Sequence, residues 1–367
     1  MKLRFNRQEM ADVLAPLCAV AAARTPKEIL RCVKLEARAD VLFLSATDLE
    51  LSLRCAATQV EVLDPGETVI VADTFARIMH ECSDETLAVE TDASELHVRG
   101  AGSHFQIVTQ DGAEFPSVPA TDEEPHFTVA QNALRRQIEW TSLAAAREST
   151  RYAINGVLFE VEGDRLTLAA TDGRRLSVAP GVVTRPEDAG DVPPGIVPTK
   201  ALTVFNRLTT GEDDLVSIHI SSNRMLITVA GAQIGTSLVE GHFPSYRDVV
   251  PTDCDRESTL KTADFAAALK QAALLTNEES RGVRLAFSEG DLTIMSRAPE
   301  QGGATISIPV IYKHEPMEIG FNPVFLLDVL RVVDTDEVTL AMKEANRPGI
   351  LRAGGEFLYV VMPVNLS

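Results

Sequence analysis

The sequence predicts an α+β protein of three repeated domains, each with two helices packed on an antiparallel sheet. Three observations carry that expectation. The chain has 367 residues, more than one ordinary hydrophobic core accommodates. A fixed order of strand, helix, strand pair, strand, helix and acidic strand recurs three times along it. The tripeptide Ala-Thr-Asp also stands at the same point of the first two units, ending at Asp48 and Asp172. That interval of 124 residues is domain-sized, whereas solenoid repeats run to roughly 20–50 residues.

Taken in order, the units open with short strands near Leu3, Phe127 and Leu260. Ala-rich segments with apolar residues at helical spacing follow, over Gln8–Ala22, Asn132–Arg147 and Ala263–Leu275. Strand pairs come next, at Val33–Leu44, Val157–Leu168 and Val283–Ile294. In the second pair, Glu162-Gly163-Asp164 is a hairpin signal, because Gly and Asp tolerate the positive φ of tight connections. The corner is Ala46-Thr47-Asp48 in the first unit and Ala170-Thr171-Asp172 in the second, where Gly173-Arg174-Arg175-Leu176 continues it. Ser296-Arg297 stands there in the third. An Asx-type turn with solvated arginines is the plain expectation for such a corner.

A second helix then follows each Val/Ile-rich strand, in VIVADTFARIM, IVPTKALTVFNRL and IGFNPVFLLDVLRVV. Asp73, Thr199 and Asn322 are placed to cap these helices, and Pro323 suits a first turn. Acidic turns lead into the closing strands DETLAVET, DDLVSIHI and DEVTLAM. The units end on Phe115-Pro116, Phe243-Pro244 and Met362-Pro363. Linkers are expected near Pro116–Pro125 and Pro251–Ser258, which sets the domains at 1–120, 126–251 and 258–367.

Composition narrows the function. No apolar run is long enough to span a bilayer, and MKLRFNRQEM has no apolar h-region. Five scattered cysteines without a CxxC pair suit reduced thiols, so a cytoplasmic location is expected. No phosphate-binding loop, dinucleotide fingerprint, nucleophile elbow or zinc-protease helix occurs. The seven histidines have no metal-ligand spacing to another His or Cys. No cofactor, metal or catalytic residue is therefore expected. Asp48 and Asp172 read as one structural job done twice, and the balance is against an enzyme.

A net charge of −19 disfavours nucleic acid as a partner at face value. Local field matters more than the total. Arg135, Arg136, Arg147, Lys200, Arg207, Lys270 and Arg331 lie on the helical segments, whereas acidic residues crowd the turns and linkers. Arg136 and Arg147 are close to three helical turns apart and so share a face. Ordinary solvated helix faces would account for any single arginine; a basic helix layer against an acidic periphery is the sharper reading.

RYAINGVLFEVEG, ATDGRRL, LVEGHFPSYRDVVP, TNEESRGVRL, APEQ and YVVMPVNLS stand in one order over essentially the whole chain. In that set the sequence resembles the bacterial replicative sliding-clamp family, the β subunit of DNA polymerase III. The resemblance implies three clamp-type domains per chain and a head-to-tail dimeric ring around double-stranded DNA, held without sequence preference. It implies a non-catalytic processivity factor. Its partners would be the replicative polymerase catalytic subunit, the clamp loader, other polymerases, ligase and mismatch-repair proteins, bound through short peptide motifs, and not a membrane.

Carried over from the family, the peptide groove is Ile154, Thr171, Gly173, Arg174, Arg175, Leu176, Pro244, Val249, Val360, Met362, Pro363, Val364 and Leu366. The residues agree with it: scattered apolar side chains around a basic corner suit a short peptide with apolar anchors, and Met repacks around different ligands. Arg24, Arg151, Tyr152 and Lys200 are implied to face DNA, beside the helix-face residues Arg136 and Arg147. Phe105 and Ile107 would meet Leu274 and Leu275 of a second chain at the dimer seam. Several positions depart from the family pattern. Arg174 stands where His is frequent, Asp248 where a basic residue is common, and Ala153 where an aromatic is expected. Gly302-Gly303 replaces an acidic cluster, and the chain ends Asn365-Leu366-Ser367 rather than in a basic-apolar pair. The competing reading is a hydrolase with its site between repeats; retention on circular but not linear DNA separates the two.

Overall fold

A computed structural model describes residues 1–22, 25–92, 94–118, 123–146, 153–187, 190–209, 214–276, 282–298 and 301–365. Six α-helices occur among them: α1 Arg7–Val20, α2 Ala72–Glu81, α3 Gln131–Ser142, α4 Thr199–Leu208, α5 Thr262–Ala273 and α6 Pro323–Val332. They fall two to a repeat where the periodicity puts them, except that α3 ends at Ser142, short of the expected Arg147, so the helical spacing that set Arg136 and Arg147 on one face does not hold. Every strand pairing in the sheets is antiparallel. The architecture is therefore α+β, as the sequence predicts.

The repeats are not the compact bodies. One unit comprises Met1–Asn132, Val183–Pro193 and Lys200–Leu238; the other comprises Ala133–Val182, Pro194–Thr199 and Val239–Ser367. Sheets that run across repeat boundaries are the cause.

In the first unit, an eight-stranded sheet runs in the order Phe127–Ala130, Leu215–Ile220, Arg224–Val229, Ala232–Ser237, Leu51–Ala57, Val41–Thr47, Cys32–Arg38, Gly66–Val71. Its join between repeats is the pairing of Leu53 with Ile234, reinforced where Ser52 Oγ donates to the Gly235 carbonyl at 3.2 Å. A five-stranded sheet runs Val60–Asp64, Lys2–Asn6, Thr86–Thr91, Glu95–Arg99, His104–Val108. Helix α1 buries Met10, Leu14, Leu17 and Val20 at i, i+4, i+7 and i+10. Phe5 and Phe75 meet edge to face in this core, 6.4 Å apart.

In the second unit, a nine-stranded sheet runs Gly195–Pro198, Gly156–Glu162, Arg165–Thr171, Arg175–Val182, Leu358–Val361, Gly349–Arg352, Glu337–Met342, Arg256–Lys261, Ile311–Tyr312. Leu176 pairs with Val360 where second- and third-repeat strands join. A four-stranded sheet runs Gly302–Pro309, Asp291–Ala298, Val283–Ser288, Met317–Phe321. The expected hairpin at Gly163 is present, with Glu162 paired to Arg165 and Gly163 at φ 59°.

Caps follow the sequence only in part. Asn322 accepts the Val324 N–H at 3.0 Å and Pro323 opens α6. Thr199 is the first residue of α4. Asp73 is not a cap: α2 begins one residue earlier, its cap position is Val71, and Asp73 instead pairs with Arg77 one turn on. The Val/Ile-rich strand leads straight into that helix and leaves the carboxylate inside the first turn, where it still opposes the helix dipole favourably.

Candidate functional site

The corner at Thr171–Leu176 is built by the turn chemistry its sequence implies. Asp172 Oδ1 accepts the N–H groups of Arg174 and Arg175, at 2.9 and 3.1 Å. Thr171 Oγ1 donates to the Arg175 carbonyl at 2.7 Å and accepts the Gly173 N–H. Gly173 sits at φ 84°, where a side chain is strained. The first repeat has the same network: Asp48 Oδ1 accepts from Glu50 and Leu51, and Thr47 Oγ1 donates to Leu51. Asp48 and Asp172 do share one structural job.

The two arginines of the corner part company. Arg174 is exposed, whereas Arg175 is buried, with 8 % of its surface accessible. Arg175 Nε meets Asp172 at 3.1 Å and its Nη1 meets Asp328 of α6 at 2.7 Å. Its guanidinium lies 4.5 Å from the centre of the Phe325 ring, and Tyr359 completes the cluster by donating to the Phe325 carbonyl. Burial acts to lower the Arg175 pKa, but Tyr359, Asp328 and Asp172 outweigh it and hold the group above its ordinary value. This residue clamps α6 to the corner and offers no free charge to a ligand.

The C-terminal segment locks onto the same corner. The Met362 N–H donates to the Arg174 carbonyl and the Val364 N–H to the Gly320 carbonyl, both at 2.9 Å. Below them Leu176 and Val360 lie side by side and buried, in one cluster with Leu158, Ala169, Val178 and Tyr246. Ile154 is buried as well. Val239, Phe243, Tyr246 and Val250 of the segment 239–250 pack on the same cluster. Val239 donates to the Ile196 carbonyl, and Tyr246 and Arg247 both bond Glu160. Burial, then Glu160, raises the Tyr246 hydroxyl to about 12, so it stays a donor. A short 3-10 turn, Tyr246–Val249, then presents Val249.

Apolar side chains are thus left facing solvent here: Val249 is 58 % exposed and Met362 44 %, with Pro244 exposed beside Asp248. Pro363 and Val364 line a cavity with Arg284 and Gly320, while Pro244 and Asp248 line a second with Leu158 and Tyr246; exposed apolar residues of this kind suit apolar anchors of an extended segment. Leu366 lies outside the described residues.

The cationic candidates are less free than their sequence positions imply. Arg136 on α3 pairs with Asp334 at 3.5 Å and lies over Trp140. Lys200 on α4 is paired with Asp48 and also donates to the Val20 carbonyl at 3.3 Å. The Arg136 pair is exposed on both sides and so weak, whereas the Asp48 side chain in the Lys200 pair is only 17 % exposed. Arg24, Arg147, Arg151 and Tyr152 lie outside the described residues. Of the apolar candidates for self-association, Ile107 is buried in its own sheet, Phe105 and Leu275 are half-buried, and Leu274 at the end of α5 is 77 % exposed.

Nothing in the thiols suggests a nucleophile. All five cysteines are free, and burial pushes Cys18 up to about 11 and Cys55 to about 12. No helix among the described residues is long and apolar enough to cross a membrane.

Comparison with known proteins covers the whole chain. The N-terminal, central and C-terminal domain models of the DNA polymerase III beta subunit match residues 1–119, 128–245 and 247–365. The beta sliding clamp of Chlamydia muridarum is 30 % identical over 368 residues, covering 100 % of this chain and 99 % of the relative. That of Escherichia coli strain K12 is 32 % identical over 369 residues, with both chains fully covered. A crystal structure of the sliding clamp from Pseudomonas aeruginosa bound to griselimycin superposes with a TM-score of 0.93 at 32 % identity, again over 100 % of both chains.

Proposed function

The chain belongs to the DNA polymerase III beta-subunit family, and from that premise we propose that it is a DNA polymerase processivity factor. In this reading it is a non-catalytic cytoplasmic ring that encircles duplex DNA and tethers replication and repair proteins. The family match in three consecutive parts, with relatives aligned end to end, is the observation that carries it. The three repeats are assigned to 1–120, 126–251 and 258–367.

A ring that holds DNA by topology needs only a weakly attractive lining, which reconciles the role with a net charge of −19. The paired helix cations Arg136 and Lys200, together with Arg24, Arg147, Arg151 and Tyr152, are assigned to that lining. Closure is assigned to a second copy. The strand His104–Val108 ends the five-stranded sheet, and Gly302–Pro309 ends the four-stranded one over eight residues. Long unpaired edges are templates for another strand, and a head-to-tail contact of this kind closes when its rotation does. Phe105, Ile107, Leu274 and Leu275 are assigned to the seam.

Partner proteins are assigned to the groove of Ile154, Thr171, Gly173, Arg174, Leu176, Pro244, Val249, Val360, Met362, Pro363, Val364 and Leu366, with Arg175 as its internal support. Replicative polymerase, clamp loader, other polymerases, ligase and mismatch-repair proteins would reach it through short segments with Leu and Phe anchors. Deleting residues 363–367 tests this. Anchors in a desolvated pocket supply hot spots of about 2 kcal/mol or more, so a Gln-Leu-x-Leu-Phe peptide should bind the truncated chain well over tenfold more weakly. Calorimetry reads the affinity, and a sizing column checks that the assembly survives. Wild-type affinity in the truncated chain would refute the groove.

A further inference from the structure

Spacing along the chain hides a cluster that three consecutive strands assemble. Asp92 directly follows strand Thr86–Thr91, Glu95 and His97 lie on Glu95–Arg99, and His104 begins His104–Val108. Glu95 and His97 alternate with the fully buried Leu96 and Val98, so both face outward. Asp92 Oδ2 is 3.0 Å from His97 Nε2, and Glu95 Oε2 is 4.0 Å from the same nitrogen. One donor atom from each of the three lies within 4.8 Å of the others.

We propose that Asp92, Glu95 and His97 form a binding site for a divalent transition-metal ion of the zinc class, with His104 as the residue that positions His97. Zinc bonds of about 2.0–2.2 Å in tetrahedral array put donor atoms roughly 3.3–3.6 Å apart, and the observed 3.0 and 4.0 Å lie on either side of that range. One imidazole with two carboxylates suits zinc better than magnesium or calcium, which take oxygen ligands. The supporting bonds are also in place. Asp92 Oδ1 is occupied by the N–H groups of Ser94 and Glu95, each at 3.1 Å, which turns Oδ2 toward His97. Glu95 Oε2 accepts from Gln106 at 3.3 Å. His97 Nδ1 lies 3.2 Å from His104 Nε2. Without an ion, His97 Nε2 is hydrogen-bonded to Asp92 Oδ2; an ion would displace that proton, leaving His97 protonated on Nδ1 and donating to His104. Such an outer partner fixes both the tautomer and the ring orientation of a metal-bound histidine. The fourth position is left to water.

Zinc chloride titrated into the full chain against a competing chelator tests the site. One ion per chain is expected, with a rise in melting temperature. His97→Ala should weaken binding at least a hundredfold, and His104→Ala about tenfold or more by removing the positioning bond. Should His97→Ala fail to fold, Asp92→Asn alters an exposed carboxylate and should cost at least tenfold. Cobalt(II) substitution separates this site from the five thiols, because oxygen and nitrogen ligands give no thiolate charge-transfer band. Absence of binding, a thiolate band, or unchanged affinity in the folded His97 or Asp92 variant would overturn the site.

Discussion

Leu49 and Gly173 occupy the same turn position in two repeats, at φ 83° and 84°. Only the glycine is at ease there. An L-residue in the left-handed region costs roughly 1–2 kcal/mol, and glycine gives back about 0.5–1 through its looser unfolded chain. Leu49 is 56 % exposed, so little packing is lost on replacing it. Leu49→Gly should therefore raise the urea midpoint slightly, by the equivalent of ~0.5 kcal/mol. A lowered midpoint would mean that side-chain contacts outweigh the strain. The turn itself was legible, because Thr and Asp two and one residues before that position bond their own backbone. The fate of Arg175 was not. Its partners Asp328, Phe325 and Tyr359 lie more than 140 residues further along, and no local pattern distinguishes it from the exposed Arg174 beside it.

At the scale of elements, all six helices could be read from apolar spacing, and the strand pairs from alternation and turn residues. Which strands join between repeats could not. Leu53 against Ile234 and Leu176 against Val360 are pairings that any two apolar strands could make, so periodicity leaves them undetermined. Edge strands carry the same ambiguity, and there the expectation concerns a second chain. Leu274 is 77 % exposed and Leu275 half-buried at the end of α5, an apolar pair with no evident use in the monomer. Burying such side chains contributes roughly 1.5–3 kcal/mol each. Leu274→Ala combined with Leu275→Ala should shift the chain toward monomer in sedimentation, with its circular dichroism unchanged. A fully dimeric double variant at nanomolar concentration would remove these residues from the seam.

For the whole molecule, a sliding ring would hold DNA by enclosure rather than by affinity for its phosphates. The net charge of −19 and the helix cations already paired with Asp334 and Asp48 leave little for tight phosphate binding. The proposed groove rests chiefly on resemblance, since Met362 and Val249 look like ordinary surface residues in the sequence; the structure adds that the Arg174 carbonyl ties Met362 beside the corner. The most direct measurement is retention on DNA. After a loader and ATP have acted, the chain should stay on a nicked circular plasmid through a high-salt gel-filtration column and leave once the plasmid is linearised. Equal retention on both forms, or loss from both at the same salt, would contradict a ring held by topology.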